Sequence, residues 1–570
     1  MKKITAALLA ALMLTGCGSK SVPEVSFPEA IALDVETQPA ASAESTPAES
    51  SEIPYQSRFD SVTEIILSDE GIQADSDAVS VSNDIIYYED LETYASGNPY
   101  GEGSPAQRHS AEEAAAHTVV NITKPGAYRV TGKLSTGQLR VDLGDDAYED
   151  ENAVVELILQ DADITCTVAP AILFLNTYEC DGYWSTETAK ADVDTSAAGA
   201  NLILEGSNLV SGSHVAKIFK DKEGEKKLWK QDGAIYSYMS MNVYGPGSLE
   251  LTADNEGMDT ELHLTINGGN VSIYSDNDGI NTNEDGVSVT TINAGRLNIY
   301  AGLGEEGDGI DSNGYLVING GTVISSAKPM ADAGLDSDMG SYINGGTVVA
   351  MGSTMDWAES DSEQVTMNLQ FAQQQKAGST ITITKEDGTE IFEFACVGTY
   401  ARGFSGLILS HPYFTQGETY HVYVDGVQMA YTGTDVGFGP GGMGRPGGMG
   451  FPGGERPEGM EMPEGFDPSQ FQNGEMPEGF EMPEDFDPSQ FFGGGREDRT
   501  PPEGFDGERP EGKERPEGFD PSQFQNGELP EGFDPSQFGG FGNREGSTGE
   551  AQTGFYMNDK VNAFSGVTAV

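Results

Sequence analysis

The chain has 570 residues, of which 30 are basic and 92 acidic, for a formal net charge of -62. That balance repels nucleic-acid phosphates and anionic lipid head groups, so it excludes a nucleic-acid partner and leaves any anionic partner dependent on bridging cations. With 37% hydrophobic residues, 74 Gly and 28 Pro, the length supports a large core that holds only part of the chain.

Met1-Lys2-Lys3 is a positive start, and Ile4 to Leu14 is an apolar run too short for a mature membrane span. Leu14-Thr15-Gly16-Cys17 then matches a bacterial lipoprotein signal, with small residues ahead of a cysteine that becomes lipidated. An ordinary secretory signal with an incidental Cys17 is the alternative. Residues 1–17 therefore predict a protein lipid-anchored on the extracellular face of a bacterial membrane, at the cell surface. Of the other cysteines, Cys166 and Cys180 either pair, leaving Cys396, or all three are buried thiols. Residues 18–54, rich in Ser, Ala, Pro and Glu, bury too little apolar surface to fold and read as a disordered tether.

From residue 55 to 360 the pattern is all-β. Short apolar alternations (VVNIT, QLRVDLG, VVELILQDADI, NLILEGSNLV, SLELTA) are separated by Gly, Asn and Asp turns. Helical periodicity is confined to Ser110–Ala116, which is short enough to be a loop. Between Leu249 and Ala350 the chain repeats itself. LTINGGNVSIY, TTINAGRLNIY, LVINGGTVISS and SYINGGTVVAM put Ile266, Ile292, Ile318 and Ile343 in one column, at steps of 26, 26 and 25 residues. Val271, Leu297, Val323 and Val348 form a second column, and Asn267, Asn293, Asn319 and Asn344 a third. A period near two dozen residues with strand-like cores predicts a single-stranded parallel β-helix, a solenoid whose coils stack about 4.8 Å apart. Like side chains then stack: Ile in the dry interior, Asn amides bonding from coil to coil, and Gly after Asn allowing positive φ at the corner.

Each repeat carries an acidic turn: DNEGMDTE (254–261), DNDGINTN (276–283), EEGDGIDSN (305–313) and ADAGLDSD (331–338). In this pattern Gly makes a corner, an apolar residue points inward, and Asp or Asn on either side points out. The metal-ligand candidates are Asp254, Glu256, Asp259, Glu261, Asp276, Asp278, Asn281, Asn283, Glu305, Glu306, Asp308, Asp311, Asn313, Asp336 and Asp338. Stacked carboxylates repel one another unless a cation lies between them. Ca²⁺ takes six to eight oxygens and accepts carboxylates, amides and backbone carbonyls together, whereas Zn²⁺ wants His or thiolate, and the six His are scattered. A solvated acidic edge without a specific ion is the alternative. In the fourth turn Ala333 replaces the acid before Gly334, which weakens a site there.

Tyr274 and Tyr300 share a column and offer an aromatic platform for sugar, or else pack on each other; Trp184 is a further carbohydrate-binding candidate. The basic run 217–230 ends in Lys230, beside the Asp232-Gly233-Ala234 corner, and reads as a solvated loop or as the source of a catalytic base. No Ser/His/Asp, Cys/His or paired-carboxylate spacing is recognisable, so no catalytic residue is assigned.

Residues 361–436 change to hairpin strands (VTMNLQF, STITITKEDGTEIFEF, ETYHVYVDGVQMAY) with Asp387-Gly388 as a turn, a small antiparallel β module capping the solenoid. Residues 437–570 read as a low-complexity, disordered Gly/Pro/Glu/Met-rich tail carrying FDPSQF repeats, although its last stretch, GFYMNDKVNAFSGVTAV, regains apolar residues.

The ordered series VVNITKPGAYRVTGKLSTGQLRVDLGDD, VVELILQDADIT, NLILEGSNLVSG, DGAIYSYMSMNVYGPGSLELTADNEGMDTE and the INGG/DGI coils resembles bacterial cell-surface proteins called carbohydrate-binding domain-containing, over roughly Ile65 to Gly352. The resemblance implies a right-handed parallel β-helix of pectate-lyase-like shape. It also implies calcium ions at the acidic turns and binding of cellulose or acidic pectic (polygalacturonate-type) chains without established cleavage. The expected function is a surface-tethered, calcium-binding, non-catalytic polysaccharide-binding protein. A calcium-dependent pectate-type lyase is the first alternative, and a cell-surface spacer or adhesin the second.

Overall fold

The computed structural model describes residues 52–89, 107–182, 185–186, 188–220, 227–304, 306–329, 332–353, 356–395, 402–434 and 550–570. The lipidation candidate Cys17, Trp184, Glu305, Cys396, nearly all of the tether and residues 437–549 lie outside them. The regular secondary structure of the described part is almost entirely strand. Its one α-helix, Ala111–Ala115, starts where the Ser110 hydroxyl accepts the Glu113 N–H. No helix among the described residues is long and apolar enough to cross a membrane.

The chain visits three ladders in rotation. One runs through the parallel pairs of Met241–Tyr244, Leu264–Ile266, Val289–Ile292, Tyr315–Ile318 and Gly340–Ile343. The second takes Ser248–Ala253, Asn270–Ser275, Arg296–Tyr300, Thr322–Ser326 and Thr347–Gly352. The third takes Gly233–Ser237, Glu256–Thr260, Ile280–Thr282 and Ile310–Ser312. The first two belong to a 24-stranded sheet, which also contains antiparallel pairings, and the third to an 8-stranded one.

Register follows the sequence columns. Ile266 pairs with Ile292, Ile292 with Ile318 and Ile318 with Ile343, and all four are fully buried. Val271, Leu297, Val323 and Val348 stack in the same way. Each such side chain contributes roughly 1.5–3 kcal/mol through burial, and only because the next coil covers it. The Asn column is hydrogen-bonded throughout: Asn293 Nδ2 donates to Asn267 Oδ1, Asn319 to Asn293 and Asn344 to Asn319, each at 2.9 Å.

Two glycine roles differ from expectation. Positive φ falls on the second residue after Asn, at Gly269, Gly295, Gly321 and Gly346, so Ala294 is tolerated at the first. In the acidic turns Gly257, Gly279 and Gly309 have no positive φ. They are required by close approach: a Cβ on Gly279 would lie 2.2 Å from Ile299 Cγ2 and 2.5 Å from the Gly309 carbonyl oxygen.

The last coil strand, Thr347–Gly352, pairs antiparallel with Phe404–Ser410, which pairs in turn with Thr366–Gln375. This covers a sheet edge that would otherwise present unpaired backbone groups. Thr380–Lys385 and Glu390–Ala395 form the expected hairpin, with Gly388 at φ 84 in its turn. The end of the chain is not tail. Val561–Ala569 pairs parallel with Thr366–Gln375, Phe555–Tyr556 pairs with Thr419–Val424, and Phe555, Met557, Phe564 and Val567 are buried. The module is therefore completed by residues 555–569, which follow Thr434 in sequence only after residues 435–549.

Candidate metal centre

The acidic turns stack on the third ladder. Gly257 N–H donates to the Asp278 carbonyl, Gly279 N–H to Asp308 and Gly309 N–H to Ala333, so Glu256, Asp278, Asp308 and Ala333 form one column. Asp259, Asn281 and Asp311 form the next, by direct register. Asp336 extends it, since its N–H donates to Ile310 and its carbonyl accepts from Ser312. Glu261, Asn283, Asn313 and Asp338 make a third column, each N–H donating one coil back, to Ser237, Thr260, Thr282 and Ser312 respectively. Alternation explains the placement: Met258, Ile280, Ile310 and Leu335 fill the interior, and the residues flanking them take the other face.

That face is covered at its start. Glu256, Asp259, Asp278 and Asn281 are all buried, contrary to the expectation that these side chains point out to solvent. The covering groups are supplied by the preceding coil. Lys230 is ion-paired with Asp232, and the Tyr236 hydroxyl donates to Glu261. Carboxylate oxygens of Asp232, Glu256 and Asp259 all lie within 4.8 Å of one another. Oxygens that share one Ca²⁺ at about 2.4 Å can be no more than about 4.8 Å apart, so this spacing admits a common ion. Glu256 Oε2, Asp259 Oδ2 and Asn281 Oδ1 are buried without a hydrogen-bond partner. Some neighbouring contacts are satisfied: Asn283 Nδ2 donates to Asp259 Oδ1 at 2.7 Å, and Asn281 Nδ2 to Glu256 Oε1 at 3.3 Å.

The electrostatics are those of carboxylates gathered without enough positive charge. Burial, then the charges of Glu256 and Glu261, pushes the Asp259 carboxyl far above its usual range. Burial raises Glu256 also, against the pull of Lys230. Further along, burial and mutual repulsion push Asp278, Asp308 and Asp311 well up, and Asp356, beside Asp336, up to about 7. An all-oxygen set of clustered carboxylates beside an amide, with buried oxygens left unpartnered, fits a hard divalent cation.

Other candidates lie elsewhere. Asp254 is engaged by Ser213 Oγ at 2.7 Å and His214 Nδ1 at 2.9 Å. Asp276, Glu306 and Asp338 are exposed. Tyr274 and Tyr300 do stack, with ring centroids 5.2 Å apart and planes 4° apart, but they are only 7% and 5% exposed. They pack in one apolar cluster with Met351, Met367 and Phe404, so the C-terminal module closes off the platform expected to meet sugar. Cys166 and Cys180 are unpaired thiols, not a disulfide. Asp232 is visible in the sequence as a corner residue but is not among the metal-ligand candidates. Its Asp-Gly dipeptide repeats that of the later turns, but the step to the next turn spans a coil with a different strand pattern. Lys230 of the basic run pairs with Asp232, and the ends of that run lie in the antiparallel strands Val215–Lys220 and Lys227–Gln231; residues 221–226 between them lie outside the described residues.

A family model described as carbohydrate-binding domain-containing protein matches residues 116–390. A carbohydrate-binding domain-containing protein of Acetivibrio thermocellus is 30% identical over 155 residues, which cover 27% of this chain and 44% of the relative. The match thus spans less than half the length of that relative. Among solved structures, a polysaccharide lyase-like protein from C. thermocellum, studied as a gadolinium derivative, shares 22% identity over 50% of this chain and 93% of its own, with a TM-score of 0.31. Residues 116–390, the stretch similar to that family model, contain all the acidic turns and the metal-centre side chains.

Proposed function

We propose that this chain is a non-catalytic, calcium-loaded polysaccharide-binding protein held at the bacterial cell surface by a lipid on Cys17. The three rotating ladders of residues 55–360 are taken as a right-handed parallel β-helix, capped by the module of 361–436. Calcium would be held first by Asp232, Glu256, Asp259 and Asn281, and further along by Asp278, Asp308, Asp311 and Asp336. Its charge would relieve the repulsion along the ladder and let an acidic glycan, such as a pectic chain, approach a surface of like sign. The observation that carries the reading is the pair of orphaned, buried oxygens Glu256 Oε2 and Asp259 Oδ2, inside a region similar to a carbohydrate-binding family model. Retention on cellulose and polygalacturonate, with and without chelator, tests it. Retention on the acidic glycan is expected to collapse on chelation. Absence of retention on every polysaccharide contradicts the reading.

One observation favours a second reading, a calcium-dependent lyase of acidic sugars. Lys230, a basic side chain, lies at the acidic cluster through its pair with Asp232. Unsaturated products from polygalacturonate at alkaline pH would establish cleavage, and their absence with calcium bound leaves binding alone.

A further inference from the structure

The tyrosines expected to face sugar are buried, but another pair is not. Tyr315 opens the strand Tyr315–Ile318, and Tyr342 lies on Gly340–Ile343, one coil on. Leu316, Ile318 and Ile343 point inward and are fully buried, so strand alternation turns Tyr315 and Tyr342 outward. Both are partly exposed, with ring centroids 6.4 Å apart and planes tilted by 39°. The residue paired with Tyr315 on the next coil is Gly340, which has no side chain to cover the ring. Glu359 takes that place: a Cβ on Gly340 would meet its Oε1 at 2.8 Å. The charges of Asp361 and Glu359 also bear on the Tyr342 phenol and, after burial, help keep it protonated and able to donate. The pair stands at the edge of the acidic ladder, since the Ser312 hydroxyl donates to the Tyr315 carbonyl at 2.9 Å.

We infer that Tyr315 and Tyr342, with Glu359, form a stacking subsite for an uncharged polysaccharide chain, a neutral glucan rather than a uronate. This rests on the carbohydrate-binding reading above and names its contact residues. Aromatic faces pack against the C–H faces of a sugar ring, and a polar handle beside them fixes orientation. Glu359 and Asp361 accept hydrogen bonds from sugar hydroxyls, while the same charges repel a uronate carboxylate. The subsite therefore differs from the metal ladder in two respects: it needs no cation, and it selects against acidic chains.

Calorimetric titration of the intact chain with a soluble cello-oligosaccharide tests this, using wild type, the Tyr315→Ala/Tyr342→Ala double variant and the Tyr315→Phe/Tyr342→Phe pair. The double Ala variant is expected to lose at least about tenfold in affinity, while the Phe pair stays within about threefold. Chelation should leave wild-type affinity within about threefold, and galacturonate oligomers should not compete. Melting curves equal to wild type establish that the variants fold. If the double Ala variant binds like wild type, the subsite is wrong while glycan binding stands. If wild type binds acidic but not neutral glycans, the neutral specificity is wrong. If wild type binds no glycan of either kind, the carbohydrate-binding reading falls with it.

Discussion

Two polar ladders climb the same coils, one of asparagines and one of acids. Asn267, Asn293, Asn319 and Asn344 each offer donor and acceptor, so every amide bonds its neighbour and the ladder satisfies itself. Glu256, Asp259, Asp278, Asp308 and Asp311 accept only when ionised; burial pushes all five toward the protonated form, and repulsion by neighbouring carboxylates adds to it for the four aspartates. Stacking of like side chains is stabilising where the group is its own complement and costly where it is not. On the proposed reading a cation would offset that cost in the acidic ladder, and the amide ladder has no such cost to offset.

Exchanging the one chemistry for the other should give the largest effect. Glu256→Gln with Asp259→Asn removes two buried charges while keeping shape. Calcium affinity at this site, followed by calorimetry, is expected to fall at least about 100-fold, near 2.7 kcal/mol. The metal-free variant should melt higher than wild type, because its amides no longer repel. A variant that keeps calcium affinity would break the contrast between the ladders.

Calcium and pH sharpen the comparison. Folding raises these carboxyl pKa values above unfolded values near 4, so the folded state holds protons more tightly. Metal-free stability is then fullest below about pH 4 and is lost as pH rises through the folded values, as far as about 7 for Asp356. Calcium at 100 times its dissociation constant should restore about 2.7 kcal/mol at neutral pH, read as a rise in melting temperature, and less in acid, where protons compete. Melting that does not respond to calcium at pH 7 would count against the account.

On the other ladder, Asn293→Ala leaves Asn267 and Asn319 each one partner short. A loss of about 1–3 kcal/mol is expected by denaturant titration, the same with and without calcium. The smallest effect belongs to Lys230→Gln, which removes the cation paired with Asp232. Calcium should then bind a few times more tightly, on the order of 1 kcal/mol or less, since Lys230 is partly exposed.

The columns were legible in the sequence because stacked coils turn linear period into spatial contact. Ile266 to Ile343 and Asn267 to Asn344 recur at nearly constant steps and meet their own kind. The acid columns were legible from the recurring Gly-apolar-Asp/Asn pattern instead, since Asp259, Asn281, Asp311 and Asp336 step by 22, 30 and 25 residues. Their burial was not, because it depends on Lys230, Asp232 and Tyr236 from an earlier coil outside the clear repeat. The Tyr274–Tyr300 stack was visible, but its cover was not: strands on both sides of segment 435–549, including Val561–Ala569 at the far end, build the module above it. Alternation alone cannot say which outward face a distant segment will occupy.

The most direct measurement is anomalous diffraction from crystals grown with terbium in place of calcium. The account predicts a peak among Asp232, Glu256, Asp259 and Asn281, with Glu256 Oε2 and Asp259 Oδ2 turned to the ion and Lys230 displaced from Asp232. Full soaking that leaves no peak there, with the Lys230–Asp232 pair intact, would contradict it.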